Sequence, residues 1–541
     1  MRAGLGALAS LGLVPRAAVA RDVVVPLPRA LSVRGGRPFA GDRSLLATIA
    51  PGVRERGTAT VSFTLDRQTR VRLDAVRTGL RRADVEWSTT RLLAPGEHQV
   101  AWTPPPDTPV GSYVMRLTME RDGRRRVLGG RRPASADLTR APVVRVVGIE
   151  AAFTRRSYVP TEPMTLRVLA DAPALTLEFL RVGHGPDPSL RNDELTGLPM
   201  GEPVRMDWTG KRSARHTVRV QSGDWPTGLY AARLTTPDGR VGFAPFVLRP
   251  RELGAAQVAA VLPTNTWQAY NFYDSDGDGW GDTWYAGGQP PVRLDRPYRD
   301  RGVPLRFRRY DFPFLRWLEK TRAAADVRAD DDLEALPSGD ELRRLYDLVV
   351  LPGHSEYVTE HAYDVLERYR DLGGRLVFLS ANNVFWKVTK AGNEMRRHPQ
   401  WRDLGRPEAR LCGVQYRAND DGRRQAPFTV VDAAAAPWLF AGTGLVDGST
   451  FGDEVGGFGI EIDMATPASP PGTRVVARIS DHFGPGQHAE MAYYETEAGA
   501  RVFSAGVLDF PAFLLAPTGF TMLLNIWRHM LADVPPLPPP A

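Results

Sequence analysis

Two β-sandwich modules followed by a doubly wound α/β domain are what the sequence predicts, on three observations. Residues 57–66 (GTATVSFTLD) alternate Ala59, Val61, Phe63 and Leu65 against hydroxylated residues, the period of a half-buried strand. The phrase PxGxYxxRLT occurs at 109–118 and again at 226–235, so this β text is written twice, each time closing on an Asp-Gly turn. Past residue 250 the period changes. Continuous apolar runs such as 255–263 (AAQVAAVLP) and 346–351 (YDLVVL) then alternate with helical spacing, the rhythm of βαβ units on a parallel sheet.

Taken in order, residues 1–20 are expected to form a signal peptide: Arg2 precedes an apolar stretch, and Ala18-Val19-Ala20 fits a small-x-small cleavage site. The chain would then be secreted or held in the cell envelope, with a cytoplasmic location as the alternative. Residues 41–141 read as one Ig-like β-sandwich and 142–250 as a second, each a module of about a hundred residues with regular turns. Residues 251–533 are the α/β domain, in which 312–322 (FPFLRWLEKTR) has helical spacing. The stretch 360–374 (EHAYDVLERYRDLGG) is an amphipathic helix with a glycine stop, followed at once by a strand at 375–380. Residues 501–509 and 520–532 supply a last strand and helix, and 534–541 form a Pro-rich tail.

Composition removes several function classes. Of 541 residues, 43% are hydrophobic and 24% charged, which excludes a largely disordered chain. No apolar run reaches the ~18 residues of a membrane span, so no integral membrane segment is expected. The single cysteine, Cys412, excludes an intrachain disulfide, a Cys-based zinc site and an iron–sulfur cluster. A net charge of +7 looks like a nucleic-acid signal. Only four of the 69 basic residues are lysines, however, and the arginines interleave with 62 acidic residues, so no nucleic-acid partner is expected.

In open α/β sheets, ligands bind beyond the carboxyl ends of the strands. Three such ends carry polar groups here: 264–271 (TNTWQAYN), 353–357 (GHSEY) and 380–383 (SANN). His354 and Glu356 alternate on an extended segment and can point the same way, which suits a metal ligand beside a general base. Asn382 and Asn383 are placed to donate an amide hydrogen bond to a developing oxyanion. A lone His-x-Glu arises by chance and an asparagine after a strand is commonly a turn residue, so the coincidence at strand ends carries the weight. A separate candidate is 274–282 (DSDGDGWGD), where Asp274, Asp276 and Asp278 alternate ahead of Gly279, with Asp282 at the ninth position. Carboxylates so closely spaced repel unless a cation lies between them. That makes a candidate calcium (Ca²⁺) loop, although Tyr285 stands where an EF-hand has Glu.

These phrases resemble those of a known family, the large (beta) subunit of N,N-dimethylformamidase and its relatives. The resemblance rests on 262–271 (LPTNTWQAYN), 308–319 (RRYDFPFLRWLE), 351–357 (LPGHSEY) and 379–386 (LSANNVFW). Supporting phrases are 225–234 (WPTGLYAARL), 459–463 (GIEID) and 493–506 (YYETEAGARVFSAG), and the likeness covers roughly residues 145–530. It implies a class I glutamine-amidotransferase-like α/β domain and hydrolysis of a small amide to an amine and formate. It also implies one iron (Fe³⁺) held by two tyrosines and a glutamate. By matching motifs these are Tyr270, Tyr310 and Glu356, with His354 and Asn382 beside the metal. Glu461 of GIEID is a further acidic candidate, and His354, Asn382 and Glu461 are the expected catalytic groups. A small partner subunit is implied; a homo-oligomer is the other assembly considered. The SANN strand end holds no cysteine, so the likeness to amidotransferases stops at the fold and cysteine-based glutaminase chemistry is not expected.

Two readings stand. One is a hydrolase of small amides acting through iron. The alternative is a non-catalytic secreted binding or adhesion protein whose Ig-like modules present a degenerate α/β domain. The joint presence of Tyr270, Tyr310, Glu356 and His354 favours the first.

Overall fold

The computed structural model describes residues 25–79, 84–130, 140–185, 189, 191–285, 290–420 and 422–533. The expected signal peptide and Pro-rich tail lie outside the described residues. The chain is multidomain and mostly β-sheet, with fewer helices.

The amino-terminal unit has two facing sheets. One has the order Arg29–Gly35, Ala59–Leu65, Gly96–Trp102; the other runs Leu46–Ile49, Val143–Val146, Gly111–Arg121, Thr69–Arg77, Asp84–Leu93. Alternation is the cause: Ala59, Val61, Phe63 and Leu65 are buried while the hydroxyl residues between them are half-buried. Val61, Phe63 and Trp102 of one sheet meet Leu73, Tyr113 and Leu117 of the other in one apolar core. Pairing of Arg29–Gly35 and Val143–Val146 extends this unit to both sides of the expected 41–141 span.

A second unit is built in the same way. Ile149–Phe153, Pro163–Ala170 and His216–Gln221 face a sheet of Ser157–Tyr158, Val241–Leu248, Gly228–Thr235, Ala174–Val182 and Gly197–Asp207. Phe153, Leu166, Trp208 and Phe246 lie in the shared core. The repeated phrase has a structural reason. The Tyr113 hydroxyl donates to the Pro109 carbonyl at 2.6 Å, and Tyr230 donates to that of Pro226 at 2.7 Å, each tying its strand to the preceding turn.

Beyond residue 250 lies a nine-stranded sheet of order Asp326–Ala329, Val258–Leu262, Leu348–Leu351, Arg375–Phe378, Arg501–Ser504, Ala489–Glu495, Arg474–Ile479, Phe428–Val430, Thr450–Phe451. The first five strands are parallel. The remaining pairings are antiparallel, so the sheet is mixed rather than parallel throughout. Burial on both faces accounts for the continuous apolar runs. Val258, Ala260 and Leu262 pack with the helices Phe312–Thr321 and Pro517–Leu531, while Ala259 and Val261 pack with Gly339–Leu345 and Glu360–Asp371. Thr359 caps the last of these helices by accepting from Ala362 N at 3.2 Å, and Gly373, at φ +81°, ends it.

The units are not strung on linkers. Leu180, Val182, Phe243 and Val247 of the second unit belong to the same core as Val258 and Trp317. The Asp-rich loop docks on the first unit: Thr78 Oγ1 donates to the Gly279 carbonyl at 2.6 Å. Gly279 sits at φ +91° where an added Cβ would stand 2.6 Å from Val114, so only glycine fits this approach. Among the described residues no helix is long and apolar enough to cross a membrane.

Candidate active site

Strands Val258–Leu262, Leu348–Leu351 and Arg375–Phe378 are neighbours in the sheet, so their polar ends converge. The first continues into the helix Thr264–Ala269, with Tyr270 at its C-terminus. The turns after the other two are laced together. Asn383 Oδ1 accepts from Ser355 N at 3.1 Å, its Nδ2 donates to Ser380 O at 2.8 Å, and Val384 N donates to Ser355 O at 2.8 Å. Asn382 and Val384 sit at φ +54° and +57°, which a β-branched valine adopts only under constraint. Asn383, expected as an oxyanion donor, is instead the clamp between these turns.

Five of the expected residues form one chain of contacts. Tyr270 Oη donates to Glu356 Oε2. That oxygen lies 3.5 Å from His354 Nε2, which in turn is 3.2 Å from Glu461 Oε2. Asn382 Nδ2 donates to the same Glu461 oxygen at 2.9 Å, and the Asp463 carboxylate accepts the Asn382 backbone N–H, also at 2.9 Å. The orientation of the Asn382 amide is dictated by Glu461, since the reverse would set two oxygens face to face. Asn382 Oδ1 is thereby left buried without a hydrogen-bond partner among the described residues. His354 Nε2 is buried too, flanked by its two carboxylates but with neither on the line of its N–H.

Tyr310 ends the short helix Phe307–Tyr310 and lines, with Tyr270, His354 and Glu461, a cavity of about 40 Å³, room for a water or two. Its hydroxyl accepts from Arg306 Nη1 at 2.7 Å. Of the three expected iron ligands, then, Tyr270 and Glu356 touch and Tyr310 stands on the wall of the adjoining cavity.

Burial sets the charges. It pushes both phenols up, and the Glu356 carboxylate pushes Tyr270 further. It also pushes Glu356 up to about 7. Burial alone would lower His354, but the Glu461 carboxylate beside it prevails and raises it to about 9, so the ring is an imidazolium at neutral pH. For Glu461 the balance runs the other way: burial opposes ionisation, and His354 holds it below the usual carboxylate range.

Sequence reasoning missed two buried carboxylates. Asp311 accepts from Trp267 Nε1 at 3.2 Å and is pushed up to about 7 by burial. It packs so closely on the residue before His354 that a Cβ on Gly353 would stand 2.6 Å from its Oδ1. Asp463, which holds Asn382, is raised by burial to about 7 as well. Both lie inside RRYDF and GIEID, and the available signal was an acid one or two residues after a candidate.

Three of the four aspartates expected in the Asp-rich loop converge. Carboxylate oxygens of Asp274, Asp276 and Asp278 lie within 4.8 Å of one another. Asp282 is outside this group; its Oδ2 accepts from Ser275 N at 2.8 Å and braces the base of the loop. Burial raises Asp274 to about 7.

Fold and cluster together define a multidomain protein with a buried cluster of ionisable side chains at the ends of parallel strands. Residues 202–519 match the family model described as N,N-dimethylformamidase beta subunit-like, C-terminal, and the chain belongs to that family. The N,N-dimethylformamidase beta subunit of Alcaligenes sp is 28% identical over 195 residues, 35% of this chain and 24% of that protein. That of Paracoccus aminophilus is 27% identical over 197 residues, again 35% and 24%. The match thus spans about a quarter of the length of these curated relatives. A solved structure, that of the Yersinia pseudotuberculosis adhesin InvE, covers 37% of this chain and 56% of its own at 13% identity and a TM-score of 0.14, a likeness too slight to carry an argument.

Proposed function

We propose that the protein hydrolyses the C–N bond of a small amide. The observation that carries this reading is the unbroken contact chain from Tyr270 through Glu356, His354 and Glu461 to Asn382, in a family described by dimethylformamidase. In the same reading the first two units are Ig-like modules. The last is a doubly wound, class I glutamine-amidotransferase-like domain, supported by five parallel strands with helices packed on both faces. The curated relatives are named as subunits, which supports a partner subunit here, and the leader-like first residues support export.

The donor set fits a hard, highly charged cation. Two phenols that burial keeps neutral ionise only if a cation takes up their charge, and a buried acceptor, Asn382 Oδ1, lacks a hydrogen-bond partner among the described residues. Tyr270, Tyr310 and Glu356 would hold ferric iron, which supplies a Lewis acid when bound. The remaining work belongs to side chains. Glu461 keeps His354 protonated at neutral pH, so its ring donates a proton to the departing amine nitrogen. Asn382, fixed by Glu461 and Asp463, presents Oδ1 as an acceptor and retains one N–H for a developing negative oxygen.

Tyr310→Phe and Glu356→Gln test this together. Each is expected to lose most bound iron by metal analysis, and to slow amine release from a panel of small amides by about 10²-fold or more. Metal retained in both variants removes these residues from the site. Turnover surviving both substitutions rejects this mechanism, and no amine release by the parent protein from any amide of the panel rejects the hydrolytic reading.

We also propose the Asp274–Asp276–Asp278 group as a calcium site, supported by its convergent oxygens. Millimolar calcium should raise the melting temperature over that in chelator, and Asp276→Asn should abolish the difference. An equal melting temperature with and without calcium would show a loop that closes unaided.

A further inference from the structure

A second cavity, of about 280 Å³, opens beside the acid cluster and shares Glu356, Asn382 and Glu461 as part of its wall. It is close to the ~300 Å³ at which small-molecule sites begin, and roomier than the simplest amides need. Much of its remaining surface is aromatic, including Trp284, Phe385, Trp386 and Tyr416. One cation stands among them. Arg397 comes from the strand Glu394–Gln400, on which successive side chains face opposite ways. Its neighbour Arg396 pairs with Glu394, whereas Arg397 is turned into the cavity wall. Its guanidinium lies 4.3 Å from the Trp386 ring centroid and 5.6 Å from that of Trp284. The Tyr357 hydroxyl stands beside it. It forms no ion pair with a described carboxylate, although the Glu356 carboxylate on the same wall feels its charge, and its buried Nε has no hydrogen-bond partner among the described residues.

An arginine held between two indoles, half-buried and in no direct ion pair with a described carboxylate, is a preorganised fork for a planar anion. Aromatic walls on either side suit a flat, apolar body attached to that anion. We propose that this cavity takes the non-reacting end of the substrate and that Arg397 binds its carboxylate, so the substrate class is small carboxylated amides with a planar or aromatic body rather than neutral dialkyl amides. The assignment rests on the amide-hydrolase reading above.

Calorimetric titration of the full chain with benzoate, and with neutral benzyl alcohol of similar shape, reads the site without turnover. Benzoate is expected to bind about tenfold or more tighter, the worth of one charge-assisted hydrogen bond. Arg397→Gln should abolish the preference, and Arg397→Lys, which keeps the charge but not the fork, should retain part of it. Equal binding of the two probes, or a preference that survives in folded Arg397→Gln or vanishes in a misfolded variant while Arg397→Lys binds benzoate no better than benzyl alcohol, overturns the anion site. Turnover then separates the two readings. Benzoate preference with no hydrolysis of any amide, neutral or carboxylated (N-formylglycine and hippurate included), sinks the hydrolase and leaves the anion site. Hydrolysis of neutral amides as fast as carboxylated ones, unchanged in Arg397→Gln, sinks the substrate class and leaves the hydrolase.

Discussion

Glu461→Gln is expected to lower amide turnover by about 10²–10⁴-fold, the usual worth of a positioned acid–base group, without unfolding the protein. The substitution keeps the shape and removes the charge that lies 3.2 Å from His354 Nε2 and accepts from Asn382 Nδ2. Burial then acts on His354 opposed only by Glu356 and Asp463, so its value is expected to fall below about 9. A sign follows for stability. The folded value of about 9 lies above the ordinary histidine value of 6.5. The imidazolium therefore contributes stability that is fully present below pH 6.5 and is lost as pH rises through about 9. In Glu461→Gln that loss should shrink, and urea midpoints measured between pH 6 and 10 should differ most from the parent at the acidic end. A parent-like turnover together with a parent-like pH dependence would show that Glu461 neither charges His354 nor serves the reaction.

How much of this was legible depends on whether the signal was local. Alternation at 59–65 and continuous apolar runs at 258–262 and 348–351 are statements about which faces are buried, and burial follows them residue by residue. The repeated PxGxYxxRLT was legible because each copy carries a tyrosine bonded only four residues away, to Pro109 or Pro226. The antiparallel part of the nine-stranded sheet was not legible. Phe428–Val430 and Thr450–Phe451 are two or three residues long, too short to show a period. At the site, GHSEY and SANN announced themselves as polar text after apolar strands. Arg397 did not. EMRRHPQ reads as a charged edge, and only the tertiary packing of Trp284 and Trp386 around one of its two arginines distinguishes that one. Asn383 misled for the opposite reason: its side chain is used up holding Ser355 and Ser380, a bond pattern no spacing reveals.

Arg156→Met is expected to slow turnover although the residue belongs to the second β unit and touches none of the candidate catalytic groups. It lies in the turn between Ile149–Phe153 and Ser157–Tyr158. Its guanidinium grips the Asp331 carboxylate and donates to Asn265 Oδ1 at 2.9 Å. Asn265 sits on the short helix that carries Tyr270, and its Nδ2 donates at 3.1 Å to the carbonyl of Tyr357, the residue after Glu356. One arginine thus fixes both segments whose side chains meet as Tyr270 and Glu356. Breaking a buried ion pair costs ~3–5 kcal/mol. About 2–3 kcal/mol is expected here, because the Asp331 side chain is 40% exposed and keeps Lys390 at 3.0 Å. Loss of alignment should lower kcat by about 10–100-fold. Asp331→Asn weakens the pair but leaves the Asn265 bond, so it should cost stability with a smaller loss of kcat. The contrast separates the two roles that the β units can have. If they are independent binding modules, Arg156→Met leaves turnover and metal content as in the parent. If the second unit is part of the scaffold, as its shared core with Val258 and Trp317 requires, the two variants diverge in kcat at similar urea midpoints.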